Sequence, residues 1–156
     1  MDFNKLWQNF MDTVTNHYFD TNGRVGRAQF WYYILVVVVL SVVVNVLSTV
    51  LLHSLLSSLF ALALLLPNLG MSVRRLQDTG TSGMLAWACF GLFAVMQVLT
   101  VLMWISGPLG LLLAFLILPI SLIALVAAIA VIYFCAQPGQ TEANPFGPVP
   151  PAWTPN

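Results

Sequence analysis

The fold is decided by the segment Val73-Arg74-Arg75-Leu76-Gln77-Asp78-Thr79-Gly80-Thr81-Ser82-Gly83, which separates two long stretches without a charged side chain. Residues 28–73 contain no Lys, Arg, Asp or Glu, and neither do residues 79–141. A helix that crosses the hydrocarbon layer of a membrane needs about 20 apolar residues. Each stretch is therefore long enough for two crossings, and the segment 73–83 is expected to join two helical hairpins.

The composition of the whole chain also indicates a membrane protein. Of its 156 residues 6% are charged and 60% are hydrophobic, and the formal net charge is zero. A soluble domain carries about 25% charged residues and covers its surface with polar groups, which this chain cannot do. The composition excludes a soluble globular domain, a disordered chain, a disulfide-built secreted domain and a basic nucleic-acid-binding protein.

Polar interruptions within the two stretches predict where the spans begin and end. Turns are expected near residues 50–55, around His53, and at Ser106-Gly107-Pro108. The predicted fold class is an all-α integral membrane bundle of four transmembrane helices in two hairpins, forming a single membrane domain over residues 1–150. The predicted spans cover about residues 30–50, 55–73, 84–104 and 109–135.

Two further segments flank the spans. Apolar residues recur at helical spacing over residues 3–19, which predicts an amphipathic helix at the cytoplasmic interface. Residues 137–156 are rich in proline and are expected to form a cytoplasmic tail. We interpret the helix as an anchor packed on the bundle and the tail as an extended cap. The alternatives are a lipid or curvature sensor and a segment that docks a partner. No signal peptide is expected.

The distribution of basic residues predicts the orientation. Two hairpins place both termini and the segment 73–83 on the same side of the membrane, together with every Lys and Arg. The positive-inside rule makes that side cytoplasmic. A three-span or five-span topology would move the tail to the other side, and the tail has no basic residue to oppose that arrangement.

Three polar motifs stand where predicted spans meet the cytoplasmic face: Gly23-Arg24-Val25-Gly26-Arg27-Ala28-Gln29-Phe30-Trp31, the segment 73–83, and Pro138-Gly139-Gln140-Thr141-Glu142-Ala143-Asn144-Pro145-Phe146-Gly147-Pro148. In these motifs the chain resembles the bacterial inner-membrane proteins called domain-of-unknown-function family 805. That family pairs G-R-x-x-R-x-x-F-W with R-R-L-H-D-x-G-x-S-G and P-G-x-x-x-x-N-x-(Y/F)-G. The resemblance implies a small multi-span helical protein of the bacterial inner membrane and implies no activity.

The chain departs from the family pattern in three places. Gln77 stands where the family usually has His, and Gln29 stands where an acidic residue is common. Met84-Leu85 replaces an aromatic pair. The change at Gln77 weakens any mechanism that needs a titrating imidazole at that position.

Asp78 is the acidic residue of the segment 73–83, and we expect it to pair with an arginine. Unpaired guanidinium and carboxylate groups are costly to desolvate at a membrane boundary. Gly80 and Gly83 are expected to allow a positive φ or a close backbone approach, and Ser82 belongs to the same turn. We interpret this group as a structural clasp. The candidate partners of Asp78 are Arg24, Arg27, Arg74 and Arg75.

The same arginines support an alternative interpretation. Four guanidinium groups beside a Gly/Ser/Thr turn at a helix N-terminus are able to hold a phosphate or the head group of an anionic lipid. An anion or lipid site and a structural clasp are compatible with each other.

Asn45 and Gln97 are the strongest polar side chains deep in the predicted spans. Both are expected about 21 Å along their helices from the cytoplasmic end, at a rise of about 1.5 Å per residue. Their equal depth predicts an interhelical hydrogen bond. A transport path is the sharper interpretation, but no span contains an ionisable Lys, Arg, Asp or Glu that would mark one.

The sequence predicts no catalytic residue, no metal site and no cofactor. His17 and His53 are expected on opposite sides of the membrane, and Cys89 and Cys135 are expected to be small buried residues. We therefore expect a non-enzymatic protein that interacts through its cytoplasmic face. The expected partners are membrane lipids, anionic ones included, and a protein partner or a second copy, but no nucleic acid. The alternatives are an anionic-lipid or phosphate binder and a small transporter or pore.

Overall fold

The computed structural model describes residues 2–51, 55–105 and 110–153, and these residues form a helical bundle. The last four helices are each long and apolar enough to cross a membrane. The predicted class, an all-α membrane bundle with four spans, is therefore confirmed. The helices are α1 Phe3–Thr15, α2 Arg27–Leu51, α3 Leu55–Asp78, α4 Met84–Ile105 and α5 Gly110–Ala136.

The third helix extends further at its C-terminal end than the apolar pattern predicted. The expected span ended at residue 73, whereas α3 continues to Asp78, so Arg74 and Arg75 lie on a helix and not in a loop. The first residue that stops it is Gly80, with a φ of +81°. The Gly80 N–H donates to Gln77 O (3.1 Å) and the Thr81 N–H donates to Leu76 O (3.0 Å), which is a Schellman motif.

The other ends differ by a few residues. The second helix begins at Arg27, where residue 30 was expected, and α1 ends at Thr15, where residue 19 was expected. These differences have the same cause as the one in α3. Charge and hydropathy indicate which residues lie in an apolar environment, but they do not indicate where the backbone hydrogen bonds of a helix begin and end. The turns predicted around His53 and at Ser106-Gly107-Pro108 lie outside the described residues.

The third helix is the centre of the bundle, since it packs against each of the other four helices. Its C-terminal half is enclosed, with Met71, Val73 and Leu76 all buried. The remaining helices expose long apolar faces, as expected for surfaces that contact lipid acyl chains. The best-packed part of the described bundle is therefore the C-terminal end of α3.

The first helix packs against α2 and α3. It buries Leu6 and Phe10, and it also buries two polar residues, Asn9 and Thr13. The Asn9 side-chain amide donates to Gln29 O (3.0 Å), and the Thr13 hydroxyl donates to Asn9 O (2.8 Å). Because both polar groups have partners, α1 can press its whole inner face against the bundle.

The connection from α1 to α2 lies close against α3. The Tyr18 hydroxyl donates to Ala63 O at 2.6 Å. A Cβ atom at Gly70 would lie 2.7 Å from Asp20 O, so only glycine fits beneath this connection.

Candidate functional site

The carboxylate of Asp78 lies between the side chains of Arg24 and Arg75. Arg24 Nη2 is 2.9 Å from Asp78 Oδ1, and Arg24 Nε donates to the same oxygen at 3.0 Å. Arg75 Nη1 donates to the other oxygen, Oδ2. The three side chains are 1% (Arg24), 0% (Arg75) and 4% (Asp78) exposed. We call these three residues the clasp, in place of the group of Asp78, Gly80, Ser82 and Gly83 that the sequence predicted.

The guanidinium groups of the clasp also bind backbone carbonyls of the chain that follows α5. Arg24 donates to Glu142 O (2.7 Å) and to Gln140 O (2.5 Å). Arg75 Nε donates to Cys135 O at 2.9 Å, and Arg75 Nη2 donates to Gln137 O. Two cations face one carboxylate here, and the carbonyl dipoles supply the remaining negative potential.

The tail is fitted to the clasp by its own residues. A side chain at Gly139 would overlap the carboxylate of Asp78, and the Gln140 N–H donates to Asp78 O (2.9 Å). The Asn144 amide donates to Gln77 O (2.8 Å), and its oxygen accepts from Phe146 N (2.9 Å). The third motif of the sequence is therefore the part of the tail that packs on the end of α3.

The residues of the turn after α3 pack closely against neighbouring side chains. None of them contributes a side chain to the clasp. Gly80 terminates α3, and a Cβ there would meet the side chain of Gln140. A Cβ at Gly83 would lie 2.6 Å from Val73 Cγ1. Ser82 is exposed, and the structure gives it no hydrogen bond to the residues it describes.

The structure places Arg74 in a second cluster beneath α1, away from the clasp. Its side chain is 10% exposed, and Nη1 lies 3.6 Å from Asp20 Oδ2. Nη2 donates to Met71 Sδ at 3.3 Å. His17 Nδ1 lies 3.1 Å from the same Asp20 oxygen. This cluster could not be predicted from the sequence, because Asp20 comes close to Arg74 only where the connection between α1 and α2 passes α3.

The environment of Asp20 favours its charged form. Burial acts to raise the pKa of Asp20, but the hydrogen bond from the Asn22 N–H and the charges of Arg74 and His17 together hold it below its ordinary value. Asp20 is therefore a carboxylate at neutral pH, opposite the positive charge of Arg74.

Arg27 is the exposed member of the four arginines. Its side chain is exposed and forms no salt bridge or hydrogen bond with the residues that the structure describes. The predicted anion site would need the four guanidinium groups to face one open space. The structure instead encloses Arg24 and Arg75 in the clasp and Arg74 beneath α1, which leaves Arg27 available.

Asn45 and Gln97 do not form the hydrogen bond that their equal depth predicted. The Asn45 amide donates to Ser41 O (2.8 Å), one turn back on its own helix. An asparagine in a helix often binds the carbonyl four residues earlier, and here that local bond replaces the interhelical one. Both residues instead line a cavity of about 400 Å³ between α2, α3 and α4.

The remaining reactive side chains do not gather at one place. Cys89 and Cys135 are buried free thiols on α4 and α5. Within the described ranges, no three His, Cys, Asp or Glu residues are arranged to hold a metal ion.

Comparison with known proteins identifies the family. The family model described as "Protein of unknown function (DUF805)" matches residues 18–148, a range that contains all three motifs and the clasp. The chain belongs to this family. No solved structure matches it.

Two curated relatives carry the name inner membrane protein YhaI, from Escherichia coli strain K12 and from Escherichia coli O157:H7. Each is 37% identical to this chain over 78 residues. The matched region covers 49% of this chain and 64% of each relative, so the likeness extends over less than two thirds of the relatives' length.

We expect Asp78→Asn to destabilise the protein strongly, because it leaves the charges of Arg24 and Arg75 buried without a carboxylate. Breaking a buried ion pair on one side costs about 3–5 kcal/mol. Thermal unfolding of the purified protein in detergent measures the loss. Glu142→Gln is the matched control, since it removes the same charge from an exposed carboxylate that the clasp does not use. Similar unfolding temperatures for both variants would contradict the assignment.

We expect Gly139→Ala to loosen the tail, because the added methyl group overlaps the Asp78 carboxylate. Overpacking of this kind costs about 1–3 kcal/mol. Proteolysis of the tail should become faster, and the unfolding temperature should fall. Gly91→Ala is the control, since a Cβ at Gly91 has open space around it on α4. Equal resistance of the Gly139 variant and the parent protein would count against the tail contact.

Proposed function

We propose that this protein is a non-enzymatic, multi-span protein of the bacterial inner membrane that binds a protein partner at its cytoplasmic face. The observation that supports this most is the use of two buried arginines to hold the backbone of the tail. Arg24 and Arg75 donate to the carbonyls of Gln137, Gln140 and Glu142. A tail held in this way presents a fixed surface, and a preformed surface loses less entropy on binding.

The fixed surface includes a groove between α1 and the end of the described tail. The groove has a volume of about 480 Å³. Charged and amide side chains of α1 form one wall, and Trp153 forms part of the other. The ring of Trp153 lies 5.3 Å from that of Tyr32, which holds it against α2. The residues that line the groove are Lys5, Gln8, Asn9, Asp12, Gln29, Ala152 and Trp153.

The chemistry of this groove fits a polar segment of another protein. It offers one cation, one anion, several amides and an aromatic ring, a mixture that suits neither an acyl chain nor a nucleic acid phosphate. Tryptophan is enriched among the residues that dominate protein interfaces.

The alternatives receive less support from the geometry. Binding of an anionic lipid through the arginines would depend on Arg27, since the other three are enclosed. Ion transport is poorly supported, because no charged residue lines the cavity between α2, α3 and α4 in the described part of the chain.

The proposal places the N- and C-termini in the cytoplasm. The support for this orientation is that every basic residue lies at the same end of the bundle, together with α1 and the tail. A C-terminal green fluorescent protein fusion should fluoresce, and a C-terminal alkaline phosphatase fusion should be inactive. An active phosphatase and a dark fluorescent fusion would reverse the orientation.

A photo-crosslinking amino acid at Gln8, on the wall of the groove, should yield one recurrent protein adduct in the native host. Trp153→Ala should lower the yield several-fold, because it removes the aromatic wall and leaves the clasp intact. The same amino acid at Val126, on the exposed apolar face of α5, is the control position.

Three results would count against a protein partner. The first is an adduct pattern at Gln8 that equals the pattern at Val126. The second is an adduct that is unaffected by Trp153→Ala. The third is retention of cardiolipin by the purified protein that Arg27→Gln abolishes, in the absence of a Gln8 adduct, which would favour the anionic-lipid alternative.

A further inference from the structure

The cavity between α2, α3 and α4 is placed within the membrane-spanning part of the bundle. Helices α2 and α4 both pack on α3 and leave a space between them, with α3 as its floor. Its volume of about 400 Å³ lies within the range of about 300–1,000 Å³ that is usual for small-molecule sites. The lining residues of α3 run from Ser57 to Asn68. The cavity therefore extends through much of the depth of the apolar layer.

Buried side chains lie between the Asn68 end of the cavity and the clasp. The Tyr33 hydroxyl donates to Asn68 Oδ1 at 2.8 Å, and Tyr33 itself is fully buried. Met71, one turn further along α3, is buried as well. A molecule in this space would reach it through the membrane and not from the cytoplasm.

The cavity contains amide groups that the described protein atoms leave without partners. Asn68 uses its oxygen for Tyr33, and its N–H₂ group has no acceptor among the described residues. Within the same ranges, the Gln97 amide has no hydrogen bond at all, and Asn45 uses only its N–H₂ group, on Ser41 O. Polar groups in an apolar environment are costly unless something binds them.

We propose that this cavity binds a neutral, membrane-soluble molecule whose polar head carries carbonyl or hydroxyl oxygens. Such oxygens accept hydrogen bonds from the N–H₂ groups of Asn68 and Gln97. The apolar part of the molecule then contacts the aromatic side chains of Phe60, Phe90 and Phe93, which line the same space.

None of the described side chains that line the cavity is charged, and this restricts the class of ligand. A carboxylate or phosphate in the cavity would lose its hydration without gaining a cation, because the cavity is lined by apolar, hydroxyl and amide side chains. A plain acyl chain would leave the amides of Asn68 and Gln97 without partners. Diacylglycerol and isoprenoid quinones are two classes of membrane lipid whose neutral polar heads carry such carbonyl or hydroxyl oxygens.

The test is ligand retention by the full-length protein, measured by native mass spectrometry after addition of one probe at a time. The probes are dioleoylglycerol, a short-chain ubiquinone and dioleoylphosphatidic acid. The last differs from the first by its phosphate, so this pair isolates the effect of charge. Comparison of dioleoylglycerol with the ubiquinone distinguishes the two neutral sources.

Two variants locate the site. Gln97→Leu removes an amide that has no described protein partner, and it should weaken retention about fivefold or more. Ala61→Phe fills the cavity and should abolish retention. Val98→Leu and Val126→Phe place matched changes on exposed apolar faces and should leave retention unchanged.

The proposal predicts that at least one neutral probe is retained more strongly than the phosphatidic acid, and that both cavity variants reduce this retention while remaining folded. Retention of neither neutral probe would overturn it, as would equal retention of the phosphatidic acid or retention that survives Ala61→Phe. The site is independent of the cytoplasmic groove. A negative result here therefore leaves the Gln8 crosslinking result intact, and the converse also holds.

Discussion

The carboxylate of Asp78, held between Arg24 and Arg75, is the interaction on which the clasp end of the bundle depends. Two guanidinium groups bring one more positive charge than a single carboxylate neutralises, and nearly all of that charge is removed from water. A buried pair of this kind is stable only when its remaining donors are satisfied. The backbone carbonyls of residues 137–142 satisfy them. The tail thus replaces the solvent around the ion pair. Arg24, in the connection before α2, and Arg75, on α3, are both joined to the tail, and Arg75 also binds the end of α5 at Cys135.

Much of the fold could be predicted from the sequence, because a membrane span is a property of many residues together. The positions of the charges alone indicated four spans and the end at which the polar motifs meet. The helix limits could not be predicted in the same way. Arg74, Arg75 and Asp78 lie outside the apolar pattern, yet nothing among them breaks a helix, and α3 continues until Gly80 adopts a positive φ. A charged residue indicates where the apolar layer ends, whereas a glycine at a helix C-terminus indicates where the backbone hydrogen bonds of the helix end.

The candidate site was only partly predictable, for two physical reasons. Arg74 and Arg75 stand four and three residues before Asp78, and either spacing allows a contact on a helix. Arg75 is the one that pairs with Asp78, because the connection after α1 brings Asp20 to Arg74 instead. The second reason is that backbone carbonyls have no sequence signature. The acceptors of Arg24 and Arg75 in the tail therefore could not be predicted, although Gly139 is the residue at which the tail approaches the Asp78 carboxylate most closely.

The uneven distribution of packing connects the clasp with the cavity. Most of the side chains that are completely buried, among them Tyr33, Met71 and Leu76, lie in the end of the bundle that holds the clasp. Asn45 and Gln97 lie further along their helices, beside the space between α2 and α4. A bundle fixed at one end can keep two of its helices apart at the other without losing its fold, because regions with fewer buried contacts add less to global stability. A bundle that is fixed at the clasp is thus compatible with a polar cavity elsewhere in the apolar layer.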